Sequence, residues 1–565
     1  MSYPKRSLFA VLTLMLMSAC TIQPAEGRED WRYGAMATTA NPYATDAAIV
    51  MLEQGGHAVD AGIAAHLVLG LVEPQSSGIG GGGFMLVYER VDQSLRFHDG
   101  RETAPSAATP TMFMVEGETM PFLRAWQSGK AVGVPGAIAL YKQAHDRHGK
   151  LAWADLFEPA IKLAEEGFIV SPRLADFLPR MAQFSRLDEN PGAASYFYPG
   201  GEPLQAGTLL KNPEYAATLR AVADQGPSAF YQGEIAEAIV AAVSAEPDPG
   251  QLSIKDIAGY KPRERDAICG GFRALSICSA MPPSSGAAQI MITRIYDHLV
   301  DSGVEKVQAF VDAQRLAYAD RDHFFGDPDY TAVPIDGLLD NAYLETRAEN
   351  RFAPGASPVH GSPVQAQQVG SDTTEEASGT THLSVVDGEG NAVSFTATVE
   401  APFGSSRWVK GFLLNNEMTD FAREVSNEGA HPANAIGPNK RPRSSMSPTM
   451  VFDTDGELLL VTGSPGGNSI PAYVAKSIIG IFDWNLSAQA AADHPNIIAR
   501  GEQVRVETGV GNGAELAKSL KNAGYDVQER EGENSGIHLI HVTPDGLVGA
   551  ADKRREGTVR SVGAE

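Results

Sequence analysis

One boundary in the chain constrains the fold more than any other feature of the sequence. Between Phe352 and Gly379 the residues are dominated by Pro, Gly, Ser, Gln and Glu, and no apolar periodicity survives. Such a composition is typical of an exposed, mobile linker, which we predict over residues 353–379. At Thr380 the pattern changes to the alternation of a β-strand. A mobile segment is therefore expected to end where a core strand begins.

The residues after this boundary predict a β-hairpin. Strand patterns run from 380 to 387 and from 391 to 399, and a Gly-Glu-Gly turn separates them. A three-residue loop centred on Glu389 sets residues equally far from it opposite each other, which pairs Thr380 with Thr398. A β-bulge would shift this register by one residue. The hairpin alone also fits a purely structural role, since threonine is common in strands.

Size and charge narrow the class of protein. The chain has 565 residues, of which 43% are hydrophobic and 20% charged, so it can form a large core as one body or several domains. Helical patterns dominate between about residues 130 and 350, and short strands dominate after residue 380. The formal charge of −24 would repel phosphate backbones and anionic lipids, so we expect no binding to nucleic acid.

The N-terminus has the pattern of a secretory signal. Lys5 and Arg6 precede an apolar run and then small residues, which predicts a signal peptide over residues 1–19 and export to the bacterial periplasm or cell envelope. The run is too short to favour a transmembrane helix. Residues 17–20 resemble a lipoprotein box, in which Cys20 would carry a lipid anchor. The alternative is ordinary cleavage nearby, and both remain open.

The other cysteines and the glycine-rich run give weaker signals. Cys269 and Cys278 flank a short segment and could pair across a hairpin in an oxidising compartment. The alternative, two buried cysteines that never meet, is left open. The run at 78–83 lacks the Lys-Ser/Thr of a phosphate-binding loop and enters a strand, so it does not indicate a nucleotide site. The sequence contains no metal or cofactor fingerprint, and we expect none to be required.

Several ordered motifs resemble those of the γ-glutamyltranspeptidase family, the glutathione hydrolase proenzymes. They are Gly78 to Phe84, Arg101-Glu102, Thr380-Thr381-His382, Gly411 to Met418, Gly437 to Pro442, Ser444 to Pro448 and Gly463 to Gly467. The resemblance runs from about Tyr33 to the C-terminus. It implies the N-terminal nucleophile hydrolase fold, an α+β protein with a four-layer αββα sandwich. Members are made as one inactive chain that cuts itself.

The resemblance also implies where the chain is cut. Cleavage before Thr380 would leave a large-subunit region at residues 30–352, the linker at 353–379 and a small catalytic subunit at 380–565. The two subunits would stay associated as a heterodimer that shares one core. Thr380 would be both the self-cleavage residue and the nucleophile. Its freed α-amino group would serve as the general base, because the pKa of an α-amino group is ordinarily about 7.7 to 8.0.

The remaining site residues are implied by the same motifs. Thr398 would hydrogen-bond the nucleophile, and the N–H groups of Gly466 and Gly467 would form the oxyanion hole. Substrate binding would involve a carboxylate clamp, hydroxyl donors and carboxylates that hold an ammonium group. The clamp would be Arg101, the hydroxyl donors would be Ser444 and Ser445, and the carboxylates would be Glu417 and Asp420.

The expected function is that of a self-processing γ-glutamyltransferase and glutathione hydrolase. It would pass the γ-glutamyl group of glutathione and related amides, through an ester on Thr380, to amino acids, peptides or water. Glu400 departs from the Asn of the best-known members, which would strengthen ammonium binding. Residues 422–442 lack the Tyr and some of the length of the lid in several members, which leaves the balance between hydrolysis and transfer open.

Two other functions remain as alternatives. The first is a β-lactam (cephalosporin) side-chain acylase of the same family, which would keep the chemistry and change the acyl group. The second is an exported binding protein that has kept the scaffold without the activity. The intact set of Thr380, Thr398, Gly466 and Gly467 argues against the second alternative.

Overall fold

The computed structural model describes residues 31–424 and 430–563. The predicted signal peptide at residues 1–19 and Cys20 lie outside the described residues, as do residues 425–429 of the shortened lid. Among the helices that are described, none is both long enough and apolar enough to cross a membrane.

The strands of the described chain are numbered in chain order. They are Ala35–Thr39 (β1), Gly82–Glu89 (β2), Ser94–Asp99 (β3), Met114–Val115 (β4), Glu118–Thr119 (β5), Phe168–Ile169 (β6), Leu209–Leu210 (β7), Arg263–Phe272 (β8), Leu275–Ala280 (β9), Gly379–Val386 (β10), Ala392–Glu400 (β11), Trp408–Val409 (β12), Phe412–Leu413 (β13), Thr449–Phe452 (β14), Leu458–Thr462 (β15), Ile497–Ala499 (β16), Gln503–Glu507 (β17), Asp526–Arg530 (β18), His538–Thr543 (β19), Gly546–Ala551 (β20) and Thr558–Val562 (β21).

The α-helices are numbered in the same way. They are Pro42–Glu53 (α1), Ala58–Val72 (α2), Phe122–Gln127 (α3), Ala137–His148 (α4), Glu158–Glu166 (α5), Pro172–Ser185 (α6), Pro191–Phe197 (α7), Pro213–Gln225 (α8), Ser228–Tyr231 (α9), Gly233–Val243 (α10), Ile254–Gly259 (α11), Gly286–Asp301 (α12), Lys306–Phe324 (α13), Ile335–Leu338 (α14), Asn341–Glu349 (α15), Ile470–Phe482 (α16), Ala488–Asp493 (α17) and Gly513–Asn522 (α18).

A single antiparallel sheet organises the described chain. Its 12 strands run in the order β20-β19-β15-β14-β9-β8-β3-β2-β11-β10-β1-β21. The sheet folds into two layers at β8, whose first half pairs with β3 and whose second half pairs with β9. The layers face each other and are joined by hydrogen bonds. For example, Ser394 Oγ in β11 donates to the carbonyl oxygen of Thr462 in β15 over 2.9 Å.

Helices cover the outer faces of the two layers. On one side, alternate residues of β10 such as Leu383 and Val385 pack into an apolar cluster with Val59 and Ile63 of α2. This alternation follows from the two-residue period of a strand. On the other side, α12 packs on β8 and β9. The result is the four-layer αββα sandwich that the resemblance implied, so the predicted fold is confirmed.

Each layer combines strands from both sides of the predicted cut. β10, which begins at Gly379, lies between β1 and β11, and β14 lies between β9 and β15. The second strand layer also contains Cys269 and Cys278, which face each other in the β8–β9 hairpin and form a disulfide bond. Of the two alternatives left open for these cysteines, pairing is therefore the correct one. A break before Thr380 would leave both pieces within one core.

The predicted linker lies against this body. Residues 353–378 contain no helix or strand, apart from an isolated bridge between Gly370 and Pro432. Several side chains of the body hold its backbone; for example, Arg315 Nη2 donates to the carbonyl oxygen of Ala353 over 3.2 Å. The sequence indicated the lack of regular structure but did not indicate these contacts. The mobility of the segment stays a prediction.

Candidate active site

The site is built around the hairpin of β10 and β11. These strands pair so that Thr380 lies opposite Thr398, which confirms the predicted register, and an irregularity in the register falls between Gly379 and Thr380. The two hydroxyl oxygens are 3.5 Å apart, and both residues are buried. The hairpin therefore holds two hydroxyl groups together at the end of a core strand.

The peptide bond before Thr380 is engaged by the second hydroxyl. Thr398 Oγ1 donates to the carbonyl oxygen of Gly379 over 2.8 Å, and it accepts the backbone N–H of Glu400 over 2.7 Å. A donor at a carbonyl oxygen draws electron density from the carbonyl carbon, which favours attack by a nucleophile. The carbonyl of Gly379 is thus polarised beside the Thr380 hydroxyl.

Space, rather than dihedral freedom, requires glycine at Gly379. A Cβ atom there would lie 2.4 Å from the carbonyl carbon of Ala401, and the backbone of Gly379 is not left-handed. The requirement for glycine here is therefore steric. The unusual dihedral belongs to Glu400 instead, whose φ is 78°, a region that residues with side chains seldom adopt.

Gly466 and Gly467 follow β15 and precede α16. Their φ values are 135° and 57°, which favour glycine. A Cβ atom at Gly466 would lie 2.4 Å from Cε2 of Tyr473, and one at Gly467 would lie 2.5 Å from the carbonyl oxygen of Ala377. Side chains are excluded at both positions, and Gly467 lies directly against the linker.

Four buried carboxylates surround Arg101. Arg101 Nη2 donates to Asp420 Oδ2 over 2.6 Å, Nη1 donates to Glu417, and Glu102 lies 3.8 Å from Nη1. Glu400 is also buried and interacts electrostatically with Asp420. We call these five residues the carboxylate cluster. Four ionised carboxylates beside a single cation would repel one another, so a further cation near the cluster would stabilise their charged forms.

The pKa values of these carboxyl groups also indicate that a cation would be stabilised beside the cluster. Burial raises the pKa of Glu400, and the neighbouring Asp420 raises it further. Burial also raises the pKa values of Glu417 and Asp420, against the effect of Arg101. Glu417 Oε2 and Asp420 Oδ1 are buried without a hydrogen-bond partner. Buried carboxylate oxygens of this kind are expected to receive a donor, and an ammonium group supplies both the donor and the charge.

A second group of charged side chains lies at the same cavity, and this group is positive. Arg321 Nη2 donates to Ser445 Oγ over 2.7 Å, and Arg443 lies beside them. We call these three residues the arginine cluster. Glu376 of the linker occupies it: Arg443 Nε donates to Glu376 Oε1 over 3.3 Å, and Arg321 and Ser445 also donate to the same carboxylate. The acid of the linker thus pairs with both buried arginines.

The sequence-predicted residues converge on one cavity. All of them except Gly466 line it, together with Glu376 and Ala377 of the linker. Ala377 N donates to Glu400 Oε1 over 3.0 Å, so the linker also contacts the carboxylate cluster. The free cavity volume is about 10 Å³, which is about the space that one water molecule needs. In the intact chain the cavity has no room for an amino-acid-sized group.

Sequence reasoning missed several residues of the site. Glu376 lies in the segment predicted as a mobile linker, and Arg321 lies in a helix without a recognised motif. Arg443 had a signal, because it falls between two of the quoted motifs. Arg555, which donates to the carbonyl oxygen of Thr380 over 3.1 Å, had none. These side chains come from distant segments, so local patterns do not bring them together.

Comparisons with known proteins identify the family of this chain. The Gamma-glutamyltranspeptidase family matches residues 44–562. The glutathione hydrolase proenzyme of Escherichia coli (strain K12) is 36% identical over 537 residues, which cover 92% of this chain and 90% of that protein. The acylase ACY 1 proenzyme of Pseudomonas sp. (strain SE83) is 31% identical over 95% of this chain and 94% of that protein.

The fold has a counterpart among solved structures. The crystal structure of cephalosporin acylase from Bacillus halodurans superposes with a TM-score of 0.81 at 25% identity, and the match covers 97% of this chain and all of that chain (100%). The family match spans almost the whole described chain and includes the hairpin, the carboxylate cluster and the glycine pair. The chain therefore belongs to the γ-glutamyltranspeptidase family.

Proposed function

We propose that this chain is a self-processing γ-glutamyltransferase and glutathione hydrolase, with Thr380 as its nucleophile. The observation that carries the proposal is the position of Thr380 in a cavity lined by Glu417 and Asp420, each of which has one buried, unpartnered oxygen. Such a cluster suits an acyl group that ends in an α-amino acid. Membership of the family supports the reaction type.

The first reaction is cleavage of the chain itself. The Thr380 hydroxyl attacks the carbonyl carbon of Gly379, the C–N bond breaks, and the acyl group moves from nitrogen to oxygen. Water then hydrolyses this ester, which leaves a carboxylate on Gly379 and a free hydroxyl and amino group on Thr380. The hydrogen bond from Thr398 to the Gly379 carbonyl supports this step. Before cleavage, the nitrogen of Thr380 belongs to an amide and is not basic.

The second reaction uses the new amino group as the general base. It accepts the proton of the Thr380 hydroxyl as the oxygen attacks the γ-carbonyl carbon of the donor. The developing oxyanion would be stabilised by the N–H groups of Gly466 and Gly467. The proton passes to the leaving amine, and a γ-glutamyl ester remains on Thr380. An acceptor amine or water then attacks the ester and regenerates the enzyme.

The head of the donor would lie against the carboxylate cluster. Its ammonium group can donate to Glu400, Glu417 and Asp420, which satisfies the unpartnered oxygens. Ser444 and Ser445 line the same cavity and can donate to the carboxylate. Arg101, which the resemblance assigns to that carboxylate, is already hydrogen-bonded to Glu417 and Asp420. Its direct contact with a substrate stays a prediction.

The remaining expectations belong to the same proposal. Glutathione would be the donor, and amino acids, peptides or water would be the acceptors. Residues 30–379 and 380–565 would form a heterodimer after cleavage, because both contribute strands to each layer of the sheet. The protein would be exported to the periplasm or cell envelope, either after ordinary signal cleavage or with a lipid anchor on Cys20. Both forms of this proposal rest on the N-terminal residue pattern.

A cephalosporin side-chain acylase is the second candidate, and the similarity to the Bacillus halodurans acylase structure favours it. An acyl group such as glutaryl has a carboxylate but no ammonium group. It would leave the unpartnered oxygens of Glu417 and Asp420 without a donor. Burying unsatisfied charged groups is costly, so the carboxylate cluster argues for the γ-glutamyl donor.

Two measurements test the proposal. Incubation of the purified chain at neutral pH should give two fragments, and N-terminal sequencing of the shorter fragment should read Thr-Thr-His. The processed enzyme should hydrolyse γ-glutamyl p-nitroanilide faster than glutaryl p-nitroanilide. A chain that remains whole while active would contradict the use of an α-amino base, and a preference for the glutaryl compound would favour the acylase.

A further inference from the structure

A second, larger cavity borders the same linker, and we call it the outer cavity. Its volume is about 740 Å³, which is typical of small-molecule sites. Asn534 lines it, and Asn534 Nδ2 donates to the carbonyl oxygen of the linker residue Ser378 over 3.4 Å. Arg555 also lines it and donates to the carbonyl oxygen of Thr380 over 3.1 Å. The outer cavity therefore adjoins the strand of the nucleophile.

The two glycines of the expected oxyanion hole connect the active-site cavity with the outer cavity. Gly467 lines the active-site cavity, whereas Gly466 does not. A Cβ atom at Gly466 would instead lie 3.5 Å from the backbone oxygen of Asn534. A donor whose carbonyl oxygen meets this pair, with its acyl head at the carboxylate cluster, would have its leaving group on the side of Asn534. The leaving group would therefore extend into the outer cavity.

The lining of the outer cavity is rich in cations, although the whole chain has a formal charge of −24. Its charged residues are Arg173, Arg180, Lys553, Arg554, Arg555, Asp176, Glu533 and Glu556. Lys553, Arg554 and Glu533 are paired with residues outside the cavity. Cations remain in excess in this lining, so an anionic ligand would be attracted to it.

One face of α6 supplies the two arginines best placed for such a ligand. Arg173 and Arg180 lie over the ring of Phe177, with their guanidinium carbons 4.7 and 5.0 Å from its centroid. Arg173 Nε is buried without a hydrogen-bond partner. Arg180 forms an exposed ion pair with Asp176, and such pairs contribute so little that another anion can replace the acid. Both guanidinium groups can therefore donate to a carboxylate in the cavity.

The chemistry of the proposed donor supplies this anion. The leaving group of glutathione is a dipeptide that ends in a carboxylate, and peptide acceptors carry the same group. We propose that the outer cavity is the subsite for the leaving group and the acceptor, in which Arg173 and Arg180 bind the terminal carboxylate of the departing or incoming peptide. The inference rests on the proposed γ-glutamyl transfer and adds to it a preference for carboxylated leaving groups.

The test compares donors that differ by one carboxylate on the leaving group. γ-Glutamyl 3-carboxy-4-nitroanilide carries it, and γ-glutamyl p-nitroanilide lacks it. In the processed enzyme, Arg180→Gln should lower kcat/KM for the carboxylated anilide by about 3- to 5-fold, the size expected for a partly exposed charge pair. The plain anilide should change by less than about 2-fold. Arg220→Gln is the matched control and should affect neither donor, since Arg220 is also exposed and pairs with Glu165 away from the cavity.

Acceptors should show the same dependence. With γ-glutamyl p-nitroanilide as the donor, glycylglycine carries the carboxylate and glycylglycinamide lacks it. Arg173→Gln should lower kcat/KM for glycylglycine by about 10-fold, because Arg173 is the more buried of the two arginines. The value for glycylglycinamide should change by less than about 2-fold. If water is the main acceptor, the two anilides decide the question by themselves.

Other results would overturn the assignment. Equal losses on both anilides in Arg180→Gln would show that Arg180 supports the fold or the reaction, and unchanged values on both would show that the carboxylate binds elsewhere. Should Arg173→Gln fail to mature, Arg180→Glu makes the comparison, with an expected loss of about 10-fold on the carboxylated anilide alone. A wild-type chain that is uncut, or inactive on γ-glutamyl p-nitroanilide, would instead contradict the proposed function.

Discussion

The two charged clusters of the cavity differ in where their counter-ions come from. In the carboxylate cluster, Arg101 is paired with Glu417 and Asp420, which lie on the far side of the predicted cut in a short, buried 3₁₀ helix. In the arginine cluster, Arg321 and Arg443 are paired with Glu376, which lies in the linker. Removal of the linker would leave the ion pairs of Arg101 in place and would take Glu376 away from Arg321 and Arg443.

This difference explains how one cavity can be closed before cleavage and selective afterwards. The first cluster is always short of positive charge, whereas the second becomes short of negative charge only when the linker leaves. One side of the cavity is thus the carboxylate cluster, and the other is the arginine cluster with the linker acid Glu376. The predictions below test the two sides separately, and they begin with the change that keeps both sides closed.

The largest effect is expected from Thr380→Ala. Without the hydroxyl the chain should stay whole and Glu376 should remain in place, so activity on γ-glutamyl p-nitroanilide should fall by at least about 10⁴-fold. Gel electrophoresis and the anilide assay measure both results. Thr381→Val is the matched control, because Thr381 Oγ1 is buried without a partner and an apolar replacement of equal shape should be tolerated. Cleavage of the Thr380→Ala chain would place the cut elsewhere.

Gly467→Ala should have the next largest effect. The new Cβ atom would lie 2.5 Å from the carbonyl oxygen of Ala377 and 2.6 Å from that of Glu376, so the linker could not keep its path along the cavity. We expect slower self-cleavage and, in any processed enzyme, a kcat lower by about 10²-fold. Gly501→Ala is the control, since Gly501 has a φ of 79° and no atom within 4 Å of the added Cβ. Equal rates of maturation in the two variants would refute the steric account.

Glu400→Gln should weaken only the ammonium side. Removal of one negative charge should lower kcat/KM for γ-glutamyl p-nitroanilide by about 10- to 30-fold. A hydrogen bond to a charged group contributes about 1.5 to 3 kcal/mol, and the loss should fall at the lower end of that range because Gln keeps a carbonyl oxygen as acceptor. Glutaryl p-nitroanilide has no ammonium group, so its kcat/KM should fall by less than about 3-fold. Losses of the same size on both donors would mean that Glu400 acts on the reaction itself.

The same cluster predicts a pH dependence. Because burial raises the pKa of Glu400, its carboxyl takes up a proton above its usual range, and the negative charge is lost as the pH falls through that raised value. The kcat/KM for the γ-glutamyl donor should therefore decline on acidification more steeply than that for the glutaryl donor. Glu400→Gln should reduce the difference between the two profiles. Parallel profiles in the parent enzyme would argue against an ammonium site at Glu400.

The smallest effect is expected from Glu376→Gln in the uncut Thr380→Ala chain. Loss of the charge should raise the rate of proteolysis within residues 353–378 by about 10-fold, which corresponds to about 1.4 kcal/mol. Glu375→Gln is the control, because the exposed Glu375 pairs with Arg500 near the surface and such pairs contribute little. Equal protection of both variants would show that Glu376 does not hold the linker.

Acidification should reproduce this effect in the uncut chain. Burial opposes ionisation of Glu376, but Arg321 and Arg443 outweigh it and lower its pKa below the usual value of 4.5. The stabilisation of the linker is therefore present above pH 4.5 and is lost as the pH falls through the lowered pKa. Proteolysis of the linker should increase over that acidic range in Thr380→Ala, and Glu376→Gln should show a smaller increase.

The sequence alone determined the local elements of the site. The helical patterns of the sequence at residues 42–52 and 58–72 coincide with the helices Pro42–Glu53 and Ala58–Val72. Asn41 caps the first of these helices through its side chain. The sequence also predicted the partner of Thr380 across the hairpin. Caps, alternation and turn length act over a few residues, so they can be read from neighbouring positions.

Only the tertiary structure decided which charges meet. Arg321 lies in α13, Glu376 lies in a segment without regular structure, and Arg443 lies in a loop before β14, yet all three share one buried cluster. The disulfide between Cys269 and Cys278 and the engagement of Arg101 by Glu417 were settled in the same way. These contacts arise when the two-layer sheet brings distant segments together, and no local pattern records which of them will meet.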